Sequence, residues 1–416
     1  MRFLYTLAIQ IYEFGVKMAA LFGNQKAKLW VDGRRSLPEN QPNDGDWIWF
    51  HASSLGEFEQ GRPVIEALKS QYPQYKILLS FFSPSGYEIR KNYPYADEVV
   101  YLPSDTPKNA HLWLKRHHFV AAFFIKYEFW FNYMKALKDN GIPLFYISLI
   151  LKSNQYFFQW YGGWFRKQLQ SVTHFFVQDE RTAKLLHSIG LDNSTVCGDT
   201  RFDRVAAIAR QAKPFPEIEK FINGRKCIIA GSSWQPDEKL LAKCIKRLPH
   251  DYCFIMAPHD ISDSHIAQIK NLLEYDYQLY TEFDADKESK VLVLNTIGIL
   301  SQLYQYARFV YIGGGFGVNI HNIQEPVTFG CPVIFGPKYK SFKEAVDLVG
   351  LGGAFSISKQ VGLNYIFGRL LNDEAFYQHA SKVCKDYVLS QIGATSAIMK
   401  GFSQLFLMIK RKKFVI

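Results

Sequence analysis

Cysteine is scarce in this sequence and never closely paired. Six of the 416 residues are cysteine, scattered from Cys197 to Cys384, and none lies in a C-x-x-C. Such spacing excludes the disulfide framework of a small secreted domain and a thiolate zinc site. Most of the cysteines lie in apolar, strand-like contexts such as "KCIIAG". We therefore interpret them as reduced core thiols of a cytoplasmic protein.

Several catalytic signatures are also missing. The sequence has no HExxH motif and no GxxxxGK[ST] phosphate loop, and no GxGxxG follows the first predicted strand. These absences count against a zincin, a P-loop nucleotidase and a dinucleotide-dependent dehydrogenase. Zinc knuckles, RNP-type aromatic motifs and long arginine-rich tracts are absent too, so we predict no nucleic-acid partner. We also predict no metal and no cofactor.

The N-terminus lacks an uninterrupted apolar run of the roughly 20 residues that a spanning helix needs. Residues 3–22 are mostly apolar, but Glu13 and Lys17 interrupt them. For residues 1–35 we favour a helix lying in or dipping into the membrane interface. A helix packed on the first domain and a secretory signal are the alternatives. The C-terminal "FLMIKRKKFVI" fits the same basic, membrane-facing side, or is a solvated end.

Positive charge is in excess. Lys and Arg number 49 against 38 Asp and Glu, which gives a formal net charge of +11. This surplus suits an anionic partner such as a membrane surface or a phosphorylated substrate. Hydrophobic residues make up 48% of the chain, which is enough for packed cores, and the length predicts two or three domains.

Short apolar runs alternate with amphipathic segments in two blocks, separated by the proline-containing "KPFPEIEKFINGRK". This alternation predicts an α/β fold with parallel sheets covered on both faces. Ligands of such open sheets bind at the carboxyl ends of the strands, so two sheets predict a cleft between domains. The predicted parts are a membrane-associating helix at 1–35, a Rossmann-like domain at 36–205, a linker at 206–225, a second Rossmann-like domain at 226–371 and terminal helices at 372–416.

The stretch "WIWFHASSLGEFEQG" runs from a bulky strand straight into a helical pattern. Glu57 lies at this junction, where backbone amides and the helix dipole favour its ionised form. An ionised carboxylate facing a cleft can accept the proton of a hydroxyl nucleophile. The alternative is a structural role in a capping box with Ser54 as N-cap.

A second group lies in "FVYIGGGFGVNIHNIQEP", where a buried strand ends in a glycine run that includes Gly313 and Gly314. Glycines allow a ligand to approach the backbone closely. Asn322 is predicted to cap a helix whose first amides face a phosphate, and Glu325 to accept hydrogen bonds from a ribose. The alternative is a capping box of Asn322 and Glu325 after a simple turn.

Three shorter motifs complete the candidates. "IIAGSSWQPDE" puts Gly231, Ser232 and Ser233 at a strand end, which suits a phosphate or simply a helix N-cap. "CGDTRFD" puts Arg201 near the hinge, where it recognises an anion or forms a structural ion pair. Glu128 in "YEFWFN" orients an acceptor or is merely solvated or ion-paired.

Taken together, these segments resemble the 3-deoxy-D-manno-octulosonic acid (Kdo) transferases that act on lipid A precursors. The likeness runs in matching order over nearly the whole chain. It is carried by "HASSLGE", "SPSGYE", "YEFWFN", "VQDERTAKLLHSIG", "GDTRFD", "AGSSWQPDE", "IGILSQLYQYA", "IGGGFGVNIHNIQEP" and "CPVIFGPKYKSFKEA".

The resemblance implies a GT-B glycosyltransferase at the cytoplasmic face of the bacterial inner membrane. It implies CMP-Kdo as donor, the phosphorylated, tetraacyl glucosamine disaccharide precursor of lipid A as acceptor, and metal-independent, inverting transfer. The N-terminal domain then takes the acceptor and the C-terminal domain the donor. Glu57 maps to the catalytic base, with Ser54 and Glu128 on the acceptor side. The donor-side positions are Arg201, Gly231, Ser232, Ser233, His259, Gly313, Gly314, Asn322 and Glu325.

The sequence departs from the family at three positions. His259 replaces a donor-side Arg, Ile150 replaces another Arg, and Ile299 replaces an acidic residue. These changes affect the expected contacts to the donor phosphate and the sugar carboxylate. Two other functions therefore stay open: a GT-B transferase or epimerase using a UDP-sugar, and a non-catalytic, membrane-bound GT-B scaffold.

Overall fold

A computed structural model describes residues 1–35, 45–273 and 277–414, with side chains up to residue 411. The first residues of the predicted N-terminal domain, 36–44, and the last two of the chain lie outside this range. The chain divides into two compact units. The first comprises Met1–Asp203 and Gly393–Ile416, and the second Arg204–Ile392.

The first unit holds seven parallel strands with helices between them. Its strands are β1 (Asp46–Ala52), β2 (Lys76–Phe81), β3 (Glu98–Tyr101), β4 (His118–Ile125), β5 (Leu144–Leu149), β6 (His174–Val177) and β7 (Ser194–Val196). Its helices are α1 (Arg2–Leu21), α2 (Gln25–Arg35), α3 (Leu55–Gln71), α4 (Pro84–Arg90), α5 (Pro107–Leu114), α6 (Phe131–Asp139), α7 (Gly163–Leu169) and α8 (Glu180–His187). Helix α9 (Thr200–Arg210) runs across the boundary of the units.

The second unit repeats this plan. Its strands are β8 (Lys226–Ser233), β9 (Tyr252–Pro258), β10 (Tyr277–Leu279), β11 (Val291–Val293), β12 (Ala307–Ile312), β13 (Val333–Phe335) and β14 (Ala354–Ser356). Its helices are α10 (Pro216–Ile222), α11 (Gln235–Ile245), α12 (Asp263–Leu272), α13 (Leu300–Leu303), α14 (Gln324–Thr328), α15 (Lys343–Leu351), α16 (Gln360–Asn372) and α17 (Glu374–Gln391). Helix α18 (Ala394–Phe414) follows and belongs to the first unit.

Both sheets have the strand order of a doubly wound fold. The first runs β3-β2-β1-β4-β5-β6-β7 and the second β10-β11-β9-β8-β12-β13-β14. In the first sheet the chain winds outward in one direction from β1 and in the other from β4. The second sheet winds in the same way from β8 and β12, except that β11 lies between β9 and the edge strand β10. The strand order therefore reverses between β1 and β4 and between β8 and β12. In open α/β sheets, ligands bind beyond the carboxyl ends of the strands at this reversal.

The central strand β1 is buried on both faces, as the sequence predicts. Trp49 packs in a cluster with Tyr133 on one face of the sheet. Phe50 packs on the other face in a cluster that includes Phe402 of α18. The last helix thus returns to complete the core of the first unit, which the local sequence pattern of residues 372–416 does not reveal.

Helix α1 docks through polar side chains and exposes apolar ones. The Tyr5 hydroxyl donates to Asp105 Oδ2 over 2.6 Å, and Arg2 Nε donates to Asn132 Oδ1 over 2.8 Å. No residue of α1 is buried, and Phe3 is 77% exposed. By length and composition, one helical stretch of the described residues could cross a membrane, and it is Glu374–Arg411 rather than α1. That stretch includes residues of the first unit's core, and a buried core helix can meet the same criteria of length and composition.

Candidate functional site

Most of the predicted site residues follow the strands at the two reversal points, whereas Arg201 follows the edge strand β7 and His259 follows β9. After β1 come Ser53, Ser54 and Glu57, and after the adjacent β4 comes Glu128. In the second sheet, Ser232 and Ser233 end β8, and Gly313 and Gly314 follow the adjacent β12. Because each pair of neighbouring strands is parallel, these groups emerge at the same edge of their sheet. Each unit therefore presents a polar cluster where open α/β sheets bind ligands.

Glu57 caps the helix at whose start it lies. Its Oε2 accepts from the Ser53 amide over 2.7 Å and from the Ser54 amide over 3.3 Å, within a capping box whose N-cap is Ser54. The capping box, the alternative that the sequence left open, is therefore confirmed as one role of this residue. Within the described part of the chain, Glu57 Oε1 accepts no hydrogen bond. One carboxylate oxygen is fixed by the backbone, and the other is available to a ligand.

Glu128 is the centre of a buried network behind Glu57. Its side chain accepts at Oε2 from Ser53 Oγ over 2.7 Å and from Trp130 Nε1 over 2.6 Å. The same indole nitrogen lies 2.9 Å from His51 Nε2. His51 Nε2 itself lies 3.3 Å from Glu128 Oε2, and His51 Nδ1 lies 2.8 Å from Ser80 Oγ, so the histidine joins the network through both ring nitrogens. Neither the fully buried His51 nor Trp130 was among the predicted site residues.

The charge state of Glu57 differs from the sequence expectation of an ionised carboxylate. Burial and, next, the charge of Glu128 raise its pKa to about 8. The Ser53 and Ser54 amides and Lys126 act in the opposite direction but do not compensate. The helix start that was expected to keep Glu57 charged is outweighed by loss of water and by a second carboxylate. A carboxyl with this pKa exchanges its proton near neutral pH, as suits a general base.

Arg201 lies in the first unit and pairs with its neighbour. Its Nε lies 2.9 Å and its Nη2 2.6 Å from Asp199 Oδ2. This is the structural ion pair that the sequence left open as an alternative. The pKa of Tyr127 is raised by burial and then by Glu57, whereas the charge of Arg201 lowers it. Glu57 and Arg201 thus both belong to the charge environment of Tyr127.

The end of β8 is held in a tight conformation. Ser232 has a φ of +52°, and Ser233 Oγ donates to Glu238 Oε1 over 3.0 Å. Gly231 faces the buried Tyr304, whose hydroxyl lies 2.1 Å from the position of a Cβ at Gly231. A side chain at Gly231 would collide with that ring. The three predicted residues therefore shape this strand end through contacts inside the second unit.

The glycine run after β12 passes close to β8. A Cβ at Gly313 would lie 2.2 Å from the Ser232 carbonyl oxygen. Gly314 has a φ of +89°, and its amide donates to Asp237 Oδ2 over 3.1 Å. Glycine is required at Gly313 because the backbone of β8 passes close to it, and the predicted approach of a ligand to this run stays a prediction.

The helix predicted to start at Asn322 starts two residues later, as α14, and has five residues. Asn322 Oδ1 accepts from the Gln324 amide over 2.9 Å, and its Nδ2 donates to Glu325 Oε1 over 3.1 Å. The side chains of Asn322 and Glu325 are thus linked, as in the structural alternative. The prediction of Asn322 as N-cap is wrong by one residue, since Ile323 occupies that position.

Three stacked rings at the second sheet edge were missed. His259 stacks on Trp234, with ring centroids 4.6 Å apart, and on His321, with centroids 4.5 Å apart. Trp234 Nε1 also donates to His321 Nε2 over 3.0 Å, and burial together with His259 lowers the pKa of His321. The sequence marked His259 as a donor-side position where the family has arginine, but it marked neither Trp234 nor the stacking. The three rings come from three separate loops, so no spacing signal could have joined them.

Comparison with known proteins points to one family. The family model for 3-deoxy-D-manno-octulosonic-acid transferase (kdotransferase) matches residues 26–204. A 3-deoxy-D-manno-octulosonic acid transferase of Aquifex aeolicus is 26% identical over 77% of this chain and 85% of its own length. The one of Bordetella pertussis is 24% identical over 84% and 85%. A bifunctional glycosyltransferase/methyltransferase of Fusobacterium nucleatum is 24% identical, and this chain spans 52% of its length.

Solved structures share the fold. The UDP-GlcNAc 2-epimerase from Neisseria meningitidis, bound to UDP-GlcNAc, has a TM-score of 0.62 at 14% identity over 86% of this chain and all of that one. An epimerase assigned to the same reaction in Listeria monocytogenes has a TM-score of 0.60 at 10% identity, over 87% and 97%. At such identities the likeness concerns the fold alone. With the two parallel sheets, it confirms the predicted α/β fold of the GT-B class.

Proposed function

We propose that the chain, whose residues 26–204 match the 3-deoxy-D-manno-octulosonic-acid transferase family model, transfers Kdo from CMP-Kdo to a lipid A precursor. The acceptor is the phosphorylated, tetraacyl glucosamine disaccharide, bound at the carboxyl edge of the first sheet. The donor binds at the corresponding edge of the second sheet. Transfer inverts the anomeric centre without a metal.

The observation that carries this proposal is the state of Glu57. Its Oε2 is fixed by two amides, its Oε1 accepts no hydrogen bond from the described residues, and its pKa is raised to about 8. A carboxylate held in this way can accept the proton of an acceptor hydroxyl without rearranging. Glu57 lies at the strand reversal, and ligands of open α/β sheets bind at this point.

The chemistry is one displacement. Glu57 Oε1 takes the proton of the acceptor hydroxyl as the hydroxyl oxygen forms a bond to the anomeric carbon of Kdo. The bond from that carbon to the phosphate oxygen of CMP breaks, and CMP leaves with the electron pair. Backbone amides at the β8 end, against which the glycine run packs, stabilise the departing phosphate, with the other donor-side groups around it. Electrostatic stabilisation of this kind is usually the largest contribution to catalysis.

Incubation of the purified protein with freshly generated CMP-Kdo and the acceptor tests the function. We expect the lipid to gain mass in steps of one Kdo unit and CMP to be released in equal amount. CMP, rather than UDP, should raise the midpoint of thermal unfolding, because a ligand that binds only the folded state stabilises it. Transfer or epimerisation of a UDP-sugar would contradict the proposal, and so would the absence of CMP release with the lipid present.

Membrane association of α1 is part of the proposal, at the cytoplasmic face of the inner membrane. Large apolar side chains such as Phe3 and Phe14 are exposed on this helix, although its polar side docks on the first unit. Apolar side chains that enter the lipid interface add binding energy in proportion to their buried area.

Replacing both Phe3 and Phe14 with serine should weaken flotation with anionic vesicles roughly tenfold or more. A serine at Val361, which is equally exposed but in the second unit, is the matched control and should leave flotation unchanged. Equal flotation of the Phe3/Phe14 variant and the wild type would exclude α1 as the membrane contact.

A further inference from the structure

The ring stack of the second unit has one member that is open to a ligand. The Trp234 indole N–H donates to His321 Nε2 over 3.0 Å, so these two rings lie edge to edge. His259 lies across both, at interplanar angles of 29° to Trp234 and 24° to His321. The two rings therefore cover the same face of His259, and the residue itself is exposed. Among the described residues, neither ring nitrogen of His259 has a hydrogen-bond partner.

The backbone holds the stack against the strand ends that we propose for the donor phosphate. The His259 amide donates to the Ser233 carbonyl oxygen over 2.9 Å, at the end of β8. The His321 amide donates to the Gly313 carbonyl oxygen over 3.1 Å, in the glycine run after β12. The open imidazole is thus fixed beside the place where the phosphate is expected.

Of the two imidazoles in the stack, His259 is the one that can take up a proton. His321 Nε2 accepts from the indole N–H, and a proton on this nitrogen would set two donors against each other. Burial and, next, His259 lower the pKa of His321, which also favours its neutral form. His259 faces no such donor, and its ring lies on that of Trp234, an arrangement that favours a cation.

Acidic groups surround the stack, and one of them lies beside His259. The titratable side chains that follow the three rings along the chain are Asp237, Glu238, Asp260, His265 and Glu325. Asp237 and Glu238 are buried and hydrogen-bonded, and Glu238 holds the buried His265 away from a ligand. Asp260 is exposed; hydrogen bonds from Ser262 lower its pKa most, and the charges of His265 and His259 lower it further. A carboxylate that stays charged beside His259 favours the protonated ring.

We infer that His259 is a titratable anion contact of the donor site, which binds the nucleotide phosphate more tightly as imidazolium than as neutral imidazole. A hydrogen bond from a charged donor is about twice as strong as one from a neutral donor. Donor binding should therefore weaken between about pH 5 and pH 8, the range in which histidine side chains lose their proton. The identity of the nucleotide rests on the proposed function, but binding is measured without transfer.

The test is calorimetric titration of the full chain with the methyl ester of CMP. This phosphodiester keeps one negative charge over the whole range, whereas the phosphate of CMP itself has a second pKa of about 6. The wild type should bind the ester roughly tenfold or more tightly at about pH 5 than at about pH 8, the usual effect of a hydrogen bond to a charged group. Uncharged cytidine should bind equally at both pH values.

Two substitutions separate the charge of His259 from its packing. His259→Arg should bind the ester equally at both pH values, because the guanidinium stays charged. His259→Gln should bind weakly and equally at both. His250→Gln is the matched control, since His250 is an exposed histidine that precedes β9, whereas His259 follows it. This control should keep the pH dependence of the wild type, and thermal unfolding verifies that each variant is folded.

Four results would overturn the inference. They are equal affinities of the wild type at both pH values, the wild-type pH dependence in His259→Gln, its loss in His250→Gln, and absence of binding at either pH. Weaker binding by His259→Arg than by His259→Gln at the higher pH would also overturn it, because the ring would then act through packing rather than charge.

The outcome for the proposed function is distinguishable from these. A wild type that binds the ester with the expected pH dependence but does not transfer Kdo would refute the proposed function and not the inference. A wild type that transfers Kdo but binds the ester equally at both pH values would refute the inference alone. Glu57 is proposed to act on the rate of transfer, and the methyl ester carries no sugar to transfer, so a binding measurement separates the two groups.

Discussion

Glu57→Gln is expected to lower the rate of Kdo transfer by about 10²–10⁴-fold, the usual loss when a positioned general base is removed. Glutamine cannot take the acceptor proton, but its side-chain oxygen can still accept from the Ser53 and Ser54 amides, because a capping box accepts Gln as well as Glu. The variant should therefore fold and bind both substrates. Glu66→Gln on the same helix, which removes a partly exposed ion pair with Arg62, should leave the rate unchanged.

The pH dependence gives the same prediction a second readout. The pKa of Glu57 is raised to about 8, so the base becomes active as pH rises, and the wild-type rate should increase up to about pH 8. Glu128→Gln removes the neighbouring negative charge and should move this rising part of the pH–rate profile to lower pH. Glu57→Gln should show no such rise. Near-normal turnover of Glu57→Gln would refute its role as the base, and an unchanged profile in Glu128→Gln would refute the effect of Glu128 on its pKa.

The free energy of unfolding should also depend on pH, because the pKa of Glu57 differs between the folded and the unfolded chain. The pKa of Glu57 in the folded chain, about 8, lies above the value of about 4.3 for an unfolded chain. The stability this group contributes is therefore complete at pH values below 4.3 and is lost as pH rises through 8. Glu57→Gln removes this dependence. Its midpoint of thermal unfolding relative to wild type should be higher at pH 9 than at pH 6.

Local patterns in the sequence predict the features that depend on neighbours along the chain. The alternation of apolar runs and amphipathic segments gives two parallel sheets, since strands buried on both faces must be apolar throughout, as in Trp49 and Phe50. The position of Glu57 can also be predicted from its neighbours along the chain. A residue just after a strand and at the start of a helix must lie at the carboxyl edge of a parallel sheet.

Features that depend on residues far apart in the chain could not be predicted. The raised pKa of Glu57 depends on Glu128, which follows a different strand, and on burial that only the folded unit produces. The ring stack of Trp234, His259 and His321 joins three loops in the same way. Phe402 lies in the first unit's core, but the helical pattern of α18 contains no sign of which sheet it covers. In each case the sequence gives the residue type, and the tertiary contact decides its chemistry.

Gly313→Ala is expected to destabilise the protein by about 1–3 kcal/mol or more, the usual cost of forcing a methyl group into a packed site. The new Cβ would lie 2.2 Å from the Ser232 carbonyl oxygen and 2.6 Å from the Ser233 Cα. Both atoms are backbone, so no side chain can rotate away, and β8 must shift against β12. That shift moves the strand end whose amides we propose to hold the donor phosphate. Donor binding should therefore weaken together with stability.

Gly317→Ala is the matched control four residues along the same loop. Its Cβ would have only one close neighbour, the Gly314 carbonyl oxygen at 3.4 Å, which is ordinary contact. Two measurements should separate the variants: the free energy of chemical unfolding and the rise in the thermal unfolding midpoint with CMP. Gly317→Ala should be close to wild type in both. Gly313→Ala should have a lower unfolding free energy and a smaller rise with CMP. If the Gly313 variant were as stable as the Gly317 variant, the tight contact between β8 and the glycine run would be refuted. If it were destabilised but bound CMP normally, the contact would stand, and the strand end would be excluded as the donor phosphate site.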